Sequence, residues 1–264
     1  MEIDTEVRLE PAREEDAPIL ADICKKAFHT DCEVGAPGPG VGGPPGYDSP
    51  EAQVRFMGFL DYFKIVVNDA LLGGIMVGSA GKTHKVLERI FVDPSHHRNG
   101  IGTRACEILW DLYPDVQVWT LGTPEWNTRT SGFYEKLGFT QIGWDLGNPD
   151  WRGRWYQWIR DPSASHELAK VSDLRAGMKN VTIEGEIVEK SEPRPVRSRR
   201  GEPLSVSNAA LKDETGRVVL VLWNQQIGWI GVGDKIRVEN GYADSYRGII
   251  QLSVGRIGRL IVLI

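Results

Sequence analysis

The sequence ERIFVDPSHHRNGIGT, residues 88–103, decides how the first half of this chain folds. Its apolar start predicts a strand that stops at Asp93-Pro94, and a polar, basic loop follows. Gly100-Ile101-Gly102 then opens a predicted helix whose apolar residues share one face. A strand, a glycine turn and a helix N-terminus in this order present free backbone N–H groups and the positive end of the helix dipole. The stretch therefore predicts a receptacle for phosphate groups, or, in the plainer interpretation, a tight structural turn.

A second stretch, WTLGTPEWNTRTSGFYEKLGF at residues 119–139, completes the pattern. A strand over 116–121 leads to a predicted N-cap at Asn127, and a short helix ends at Gly138. Together the two stretches resemble the GCN5-related N-acetyltransferase (GNAT) superfamily, over roughly residues 5–160. In that superfamily the motif Gln/Arg-x-x-Gly-x-Gly/Ala holds the pyrophosphate and pantetheine of acetyl-CoA, and a later tyrosine lies beside the thioester. His97 departs from the motif, because the family usually has Gln or Arg there.

The resemblance implies acetyl-CoA as the cofactor and assigns the roles at the site. An amine attacks the thioester directly, so the protein must position both partners and move two protons. Tyr134 is the expected acid for the leaving thiolate, and Glu88 is a candidate general base. The residues expected to bind the cofactor are Ile90, Phe91, Val92, His97, Arg98, Asn99, Gly100, Ile101, Gly102, Thr103, Asn127 and Tyr134. Three plainer interpretations stay open: Tyr134 as a core aromatic residue, Glu88 as a surface ion-pair partner, and Asn127 as an N-cap alone.

The pattern of the first 160 residues predicts an α+β fold with a mixed, mostly antiparallel sheet and flanking helices. Ser49-Pro50 caps a predicted second helix, since proline suits the first helical position. The preceding segment, residues 35–47, is too rich in Gly and Pro to pack as regular structure. The resemblance places this segment on the acceptor side, where it is either a substrate lid or a disordered insertion.

From Val171 onward the chain changes to short strands separated by turn signals. The predicted strands cover residues 180–189, 204–211, 217–223, 234–239 and 249–254. Asp213-Glu-Thr-Gly216 predicts a hairpin, and Asn240-Gly241 is a further turn signal. Five strands in a segment of this length predict a small, all-β, five-stranded barrel.

This segment resembles the oligonucleotide-binding (OB) barrel of simple archaeal single-stranded DNA-binding proteins. The resemblance implies single-stranded DNA or RNA as a partner, with Trp223, Tyr242 and Tyr246 stacking on bases. The arginines expected to contact the nucleic acid are Arg194, Arg197, Arg199, Arg200 and Arg247. A groove with interleaved cations and aromatic rings is typical of single-strand binding. A solvated basic loop and aromatic core residues are the plainer interpretation.

Composition and charge indicate two domains. The 264 residues are 41% hydrophobic and 25% charged, as in an ordinary globular protein. From Ser163 onward there are 15 Lys+Arg and 12 Asp+Glu, a balance of +3, whereas the rest carries 16 against 24, a balance of −8. We expect a GNAT domain over residues 1–160, a linker over 161–170 and an OB-fold domain over 171–264.

The sequence also indicates where the protein works. No apolar run approaches the roughly 20 residues of a membrane span, and the acidic start is unlike a signal peptide. The cysteines at 24, 32 and 106 lack the spacing of a metal site or redox motif. We therefore expect a cytoplasmic protein without a metal.

The sequence as a whole predicts an acetyl-CoA-dependent N-acetyltransferase that transfers an acetyl group to an amine. Its OB fold would bind single-stranded nucleic acid and recruit the acceptor, which is a protein, an RNA or a small molecule. Two alternatives stay open. In one, the GNAT-like half only senses acetyl-CoA or serves as a scaffold for a nucleic-acid-binding protein. In the other, the protein acetylates small molecules and the OB domain is an oligomerisation module.

Overall fold

The computed structural model describes residues 6–37, 42–147, 152–163, 168–198, 200–255 and 258–264. Parts of three sequence predictions lie outside these ranges: Arg199, the middle of the Gly/Pro-rich segment and the middle of the expected linker. The described residues before 164 are called the N-terminal part below, and those from 168 onward the C-terminal part.

Helices occur in both parts. Their bounds are α1 Ala17–His29, α2 Pro50–Met57, α3 Ile101–Leu112, α4 Thr128–Lys136 and α5 Gln226–Trp229. The sequence predicts a cap at the start of α2 and another at the end of α4, and both occur in the structure. Ser49 Oγ accepts a hydrogen bond from the Ala52 N–H at the start of α2, and Gly138 follows α4 with φ +88°. Among the described residues, no helix is long and apolar enough to cross a membrane.

The strands of the N-terminal part form one mixed sheet. They are β1 Val7–Pro11, β2 Asp61–Val67, β3 Ala70–Ser79, β4 His84–Val92, β5 Val118–Pro124, β6 Thr140–Asp145 and β7 Gly153–Ile159. Their order is β1-β2-β3-β4-β5-β7-β6, and every neighbouring pair is antiparallel except β4 with β5. Asn68 and Asp69, both at positive φ, make the tight turn between β2 and β3.

Helices cover both faces of this sheet. Leu20 and Ile23 of α1 pack with Met76 and Phe91 on one face. Leu109 of α3 and Tyr134 of α4 pack with Leu87 and Leu121 on the other face. The predicted α+β architecture is confirmed.

The C-terminal part is built from strands that close on themselves. They are β8 Lys179–Lys190, β9 Arg194–Arg197, β10 Pro203–Lys212, β11 Arg217–Trp223, β12 Lys235–Tyr246, β13 Ile249–Ser253 and β14 Arg259–Leu263. Hydrogen-bonded pairing runs β8-β10-β11-β13-β12 and returns to β8, so five strands form a closed ring, as predicted. Aliphatic side chains that alternate along these strands fill the inside of the ring.

Strand β12 differs from its prediction, because Asn240-Gly241 does not end it. Asn240 has φ +53° and the pairing with β8 shifts between Val238 and Gly241, so the two residues form a bulge. A Cβ on Gly241 would lie 2.7 Å from Val238 Cγ1 and 2.9 Å from Ser253 O. The reversal comes instead at Arg247-Gly248, both at positive φ. Asn-Gly favours either a turn or a bulge, and the neighbouring strands decide between them.

The two parts share a continuous sheet and a buried polar contact. Strand β14 pairs with β12 on one side and with β6 on the other. Glu239 of β12 is only 1% exposed. Its carboxylate accepts hydrogen bonds from Thr120 Oγ1 (3.0 Å) and Trp155 Nε1 (3.0 Å) of the N-terminal part, and Arg237 Nη1 lies 3.3 Å away. A buried charge held in this way ties the two parts together.

We predict that Glu239→Ala destabilises the folded chain by about 3–5 kcal/mol, because the buried Trp155 N–H and Thr120 hydroxyl lose this acceptor and Arg237 loses one of its two carboxylate partners. Urea denaturation followed by tryptophan fluorescence measures the change. Glu214→Ala is the matched control, since Glu214 pairs with Lys170 at the surface and is 67% exposed, and we expect little effect. Equal unfolding midpoints for the two variants would contradict the structural role of Glu239.

Candidate functional site

The N-terminal sheet contains a gap between its two parallel strands. β4 and β5 pair only from His84↔Val118 to Val86↔Thr120. Beyond that point β4 stays paired with β3, and β5 with β7, so the two strands separate. The backbone edge of β4 over residues 90–92 therefore faces a gap, and those of its polar groups that β3 and the His97 ring leave unpaired are available to a ligand lying in it.

Glu88 lies at a β-bulge next to this gap. The register of β3 and β4 passes from Val77↔Leu87 to Met76↔Arg89, so Glu88 is an extra residue on β4. A bulge re-aims a side chain, and here the Glu88 carboxylate lies over Gly78. A Cβ on Gly78 would lie only 2.7 Å from Glu88 Oε1, so glycine is required for this position of the carboxylate.

The loop after β4 leads directly into the N-terminus of α3. Gly100 is the N-cap at φ +75°, and the first intrahelical hydrogen bond runs from the Arg104 N–H to the Gly100 carbonyl (2.9 Å). The backbone N–H groups of Ile101, Gly102 and Thr103 precede that bond. These N–H groups have no acceptor within the helix and lie at the positive end of the α3 dipole, an environment that favours an anion.

The individual residues of this loop have different tasks. The Ile101 side chain is buried and packs with Ile65 and Val92, so only its backbone faces a ligand. The His97 ring forms a 2.9 Å hydrogen bond with the carbonyl oxygen of Val92, which braces the loop against the end of β4. Arg98, with φ +65°, is exposed together with Asn99, Gly100 and Thr103.

Tyr134 is almost completely buried on α4. Its ring packs near those of Phe133, Phe139 and Tyr156, with centroids 5.2, 6.1 and 6.4 Å away. Burial raises the pKa of the Tyr134 hydroxyl well above its usual value, and the nearby Cys106 and Asp31 add to the shift. The phenol therefore keeps its proton at neutral pH and is a hydrogen-bond donor.

Asn127, the N-cap of α4, uses both ends of its side chain within the protein. Its Oδ1 accepts from the Thr130 N–H (3.1 Å), and its Nδ2 donates to Asp31 Oδ1 (3.0 Å). Arg129 also pairs with Asp31 (2.7 Å). The geometry supports the capping interpretation of Asn127, with an added link to the segment after α1.

Glu88 and Tyr134 lie on opposite faces of the sheet. Tyr134 packs in the cluster of Leu87 and Leu121, whereas Glu88 faces Arg259 of β14, whose Nη2 lies 3.4 Å from Glu88 Oε2. Burial raises the pKa of the Glu88 carboxyl, Arg259 and Arg89 lower it, and Glu239 raises it. The gap between β4 and β5 joins these two chemically different faces.

The aromatic residues predicted to stack on bases lie on the outside of the five-strand ring. Trp223, Tyr242 and Tyr246 are 39%, 42% and 57% exposed. Val221, Ser253 and Tyr242 are register partners across β11, β13 and β12. Because side chains two residues apart share a face, Trp223 and Tyr246 point to the same side as Tyr242.

The predicted arginines are distributed around this face. Arg194 lies opposite Val206, which lies opposite Trp223, so Arg194 shares the face. Arg247 places its guanidinium 5.3 Å from the Tyr246 ring centroid. Arg197 instead donates a hydrogen bond to the Gly201 carbonyl (2.9 Å), and Arg200 is exposed in the same hairpin turn.

Residues 237, 239 and 259 of the C-terminal part and Arg89 were not identified from the sequence. The strand pattern gave no signal for Glu239: Ile236 and Val238 alternate into the ring, so residues 237 and 239 fall on its outer face, which the N-terminal part covers. Arg259 carried no signal either, because its neighbours come from β4 and β6, more than 100 residues earlier.

Two family models match the chain. Residues 44–139 match the acetyltransferase (GNAT) family, and residues 176–262 match the Ssb-like OB fold of single-stranded DNA binding proteins. The two matches cover separate segments, which correspond to the mixed sheet and to the closed ring.

Individual relatives agree with this division. The single-stranded DNA binding protein Ssb of Saccharolobus solfataricus is 35% identical over 86 residues, 33% of this chain and 57% of that protein. The uncharacterized protein YrkN of Bacillus subtilis is 30% identical over 142 residues, 50% of this chain and 72% of that protein. This chain thus spans little more than half the length of the Ssb relative.

A solved structure similar to this one is the PaiA N-acetyltransferase of Thermoplasma acidophilum in complex with coenzyme A. It superposes with a TM-score of 0.47 at 13% identity and covers 58% of this chain and 99% of its own. The family models carry the assignment: residues 44–139 are similar to the GNAT acetyltransferase family, and residues 176–262 are similar to the Ssb-like OB-fold family.

Proposed function

We propose that this protein is an acetyl-CoA-dependent N-acetyltransferase whose OB fold binds single-stranded nucleic acid. The transferase occupies residues 1–160 and the OB fold residues 171–264, joined by the linker 161–170. The observation that carries the proposal is the gap between β4 and β5, which ends at the N-terminus of α3 and has Tyr134 on one face and Glu88 on the other. Acetyl-CoA supplies the acetyl group as an activated thioester.

The donor side has the groups that coenzyme A requires. The amides of Ile101, Gly102 and Thr103 bind the pyrophosphate, and Arg98 adds a positive charge. The backbone of β4 over residues 90–92 binds the pantetheine arm as an added strand would. Among the described residues, Ser131 Oγ is buried without a hydrogen-bond partner. Ser131 lies one turn before Tyr134 on α4, and its free hydroxyl supports a polar ligand beside this helix.

The two side chains on either side of the gap divide the proton chemistry. Glu88 would accept the proton that the acceptor's ammonium group must lose before the free amine can attack. It can do so only in its ionised, carboxylate form. The rate of transfer should therefore fall as the pH drops through the pKa of Glu88. After the attack, the nitrogen would shed its second proton and the leaving sulfur would take it up, so that coenzyme A departs as the thiol. Tyr134 would donate a hydrogen bond to that sulfur, since the raised pKa of its hydroxyl suits it to stabilise a thiolate more than to ionise itself.

The outer face of the OB fold supports binding of single strands. Exposed aromatic rings at Trp223, Tyr242 and Tyr246 form a row beside the guanidinium groups of Arg194 and Arg247. Rings of this kind stack on any base, and the cations contact the phosphates. Bound nucleic acid brings an amine acceptor to the transferase, either a protein on the strand or an amine on the strand itself.

We predict that Tyr134→Phe lowers the rate of acetyl transfer while the affinity for acetyl-CoA and the melting temperature stay near the wild-type values. The change removes only a buried hydroxyl and keeps the packing of the ring. Radiolabelled acetyl-CoA with lysine-rich peptides and single-stranded oligonucleotide–protein mixtures measures transfer. Tyr113→Phe is the control, because its hydroxyl bonds Asp61 away from the gap. Unchanged transfer by Tyr134→Phe would remove Tyr134 from the mechanism, and absence of transfer by the wild type would favour an acetyl-CoA sensor.

We predict that Trp223→Ala weakens binding of an oligo-dT strand about 5- to 150-fold, the loss of roughly 1–3 kcal/mol from one stacked base. Fluorescence anisotropy of labelled oligo-dT at a stated salt concentration measures it, and calorimetry should show unchanged acetyl-CoA affinity. Val232→Ala is the control, since Val232 is 64% exposed but lies outside the aromatic row. Equal affinities of the two variants for oligo-dT would argue against this face as the nucleic-acid site.

A further inference from the structure

The OB fold covers the same face of the transferase sheet as α1 and α2. Val86 of β4 and Trp155 of β7 pack with Ile261 of β14 in one buried cluster. Phe91, farther along β4 on that face, packs with Leu20 and Ile23 of α1. Residues 88 and 89 lie between these two contacts, and the Glu88 side chain is still 29% exposed there. The bulge of β4 is therefore open to solvent between the helices and the OB fold, and this space is called the cleft below, with the bulge as its floor.

Two arginines lie at this floor: Arg89 belongs to β4 and extends toward the helices, and Arg259 reaches the floor from β14 of the OB fold. The Arg89 guanidinium lies 5.5 Å from the ring centroid of Phe28 on α1 and 5.3 Å from that of Phe56 on α2. The Arg259 guanidinium lies 3.4 Å from Glu88, 3.7 Å from Asp145 and 5.9 Å from the Trp155 ring centroid. Glu88 thus has an arginine toward the helices and an arginine toward the OB fold.

We propose that the OB fold forms one wall of the cleft through which the amine acceptor reaches Glu88, and that its Arg259 is a positioning residue for the Glu88 carboxylate. The inference rests on the proposed transferase function and adds that the acceptor side of the site is incomplete without the C-terminal part.

The position of Arg259 is set by the fold on both sides. Its strand pairs with β12 (Glu239↔Arg259) and with β6 (Ile261↔Asp145). The Glu239 carboxylate is anchored to Thr120, and Thr120↔Val86 is the last pair before β4 and β5 separate. The contact between Arg259 and Glu88 therefore lies beside the point at which the gap opens.

Strand β12 connects this cleft with the nucleic-acid face. Its first half holds Glu239 in the interface, and its second half carries Tyr242 and Tyr246 on the exposed face. Glu239 and Tyr242 are three residues apart, which is about 10 Å along a strand. A ligand that stacks on Tyr242 therefore lies about 10 Å along β12 from the interface in which Glu239 is buried.

The charges around Glu88 determine what the loss of Arg259 does. Arg89 on its own strand and Arg259 on β14 favour the carboxylate, whereas burial and Glu239 on β12 oppose it. Without Arg259, Arg89 still lowers the pKa of Glu88, while burial and Glu239 continue to raise it. The carboxyl should then hold its proton to higher pH and lose its fixed orientation.

We predict that Arg259→Gln raises the pKa of Glu88 and shifts the low-pH limb of kcat/KM to higher pH, and that Arg259→Lys restores most of both. Carbon-13 NMR of glutamate-labelled full-length protein follows the carboxyl, and Glu88→Gln assigns its signal. Propylamine with acetyl-CoA is the kinetic probe, because it needs no specific recognition. Arg8→Gln is the matched control, since Arg8 is ion-paired and 35% exposed, close to the 37% of Arg259.

The outcomes separate the inference from the proposed function. An unchanged Glu88 titration in Arg259→Gln, with transfer to propylamine intact, would overturn the role of Arg259 alone. A wild-type protein that binds acetyl-CoA but acetylates no amine would overturn the transferase function itself. A parallel shift in Arg8→Gln would show that the effect is one of overall charge and would also overturn the inference.

Discussion

The buried Glu239 carboxylate is the contact on which the joint architecture depends. It belongs to a strand of the closed ring, yet two of its hydrogen-bond donors, Thr120 and Trp155, belong to the mixed sheet. A carboxylate buried to this extent is tolerated only when it is paired and hydrogen-bonded, so the two parts must meet in one arrangement. The pairing of β6 with β14 then extends the sheet of one part into the other.

This arrangement bears on how the proposed acetyl transfer and the proposed binding of nucleic acid would be coupled. Two domains on a flexible linker would raise only the local concentration of an acceptor. Here Arg259 of the OB fold contacts Glu88 of the transferase, and β12 runs from the interface to the aromatic face. The proposed nucleic-acid face and the interface with the N-terminal part therefore share one strand, β12.

Local sequence patterns predicted most of the fold. The Gly100-x-Gly102 turn, the Asn127 cap and the alternating strands of the C-terminal part depend on interactions within a few residues, and each occurs in the structure. Asn240-Gly241 was misjudged as a turn, because its bulge is set by the neighbouring β8 and β13. A short motif cannot distinguish two conformations that share the same positive φ.

The sequence by itself predicted the two folds, and it supplied the residues of the proposed donor side and the exposed aromatic residues of the OB fold. These features rest on short-range backbone chemistry and on residue alternation. Tertiary structure alone decided that Glu88 faces Arg259 and that Glu239 is buried against Thr120. The two residues of the first contact are 171 positions apart in the sequence, and those of the second are 119 positions apart. A local sequence pattern cannot predict which distant strand a side chain will contact. The proposed donor side therefore follows from local sequence, whereas the proposed acceptor side depends on how one part packs against the other.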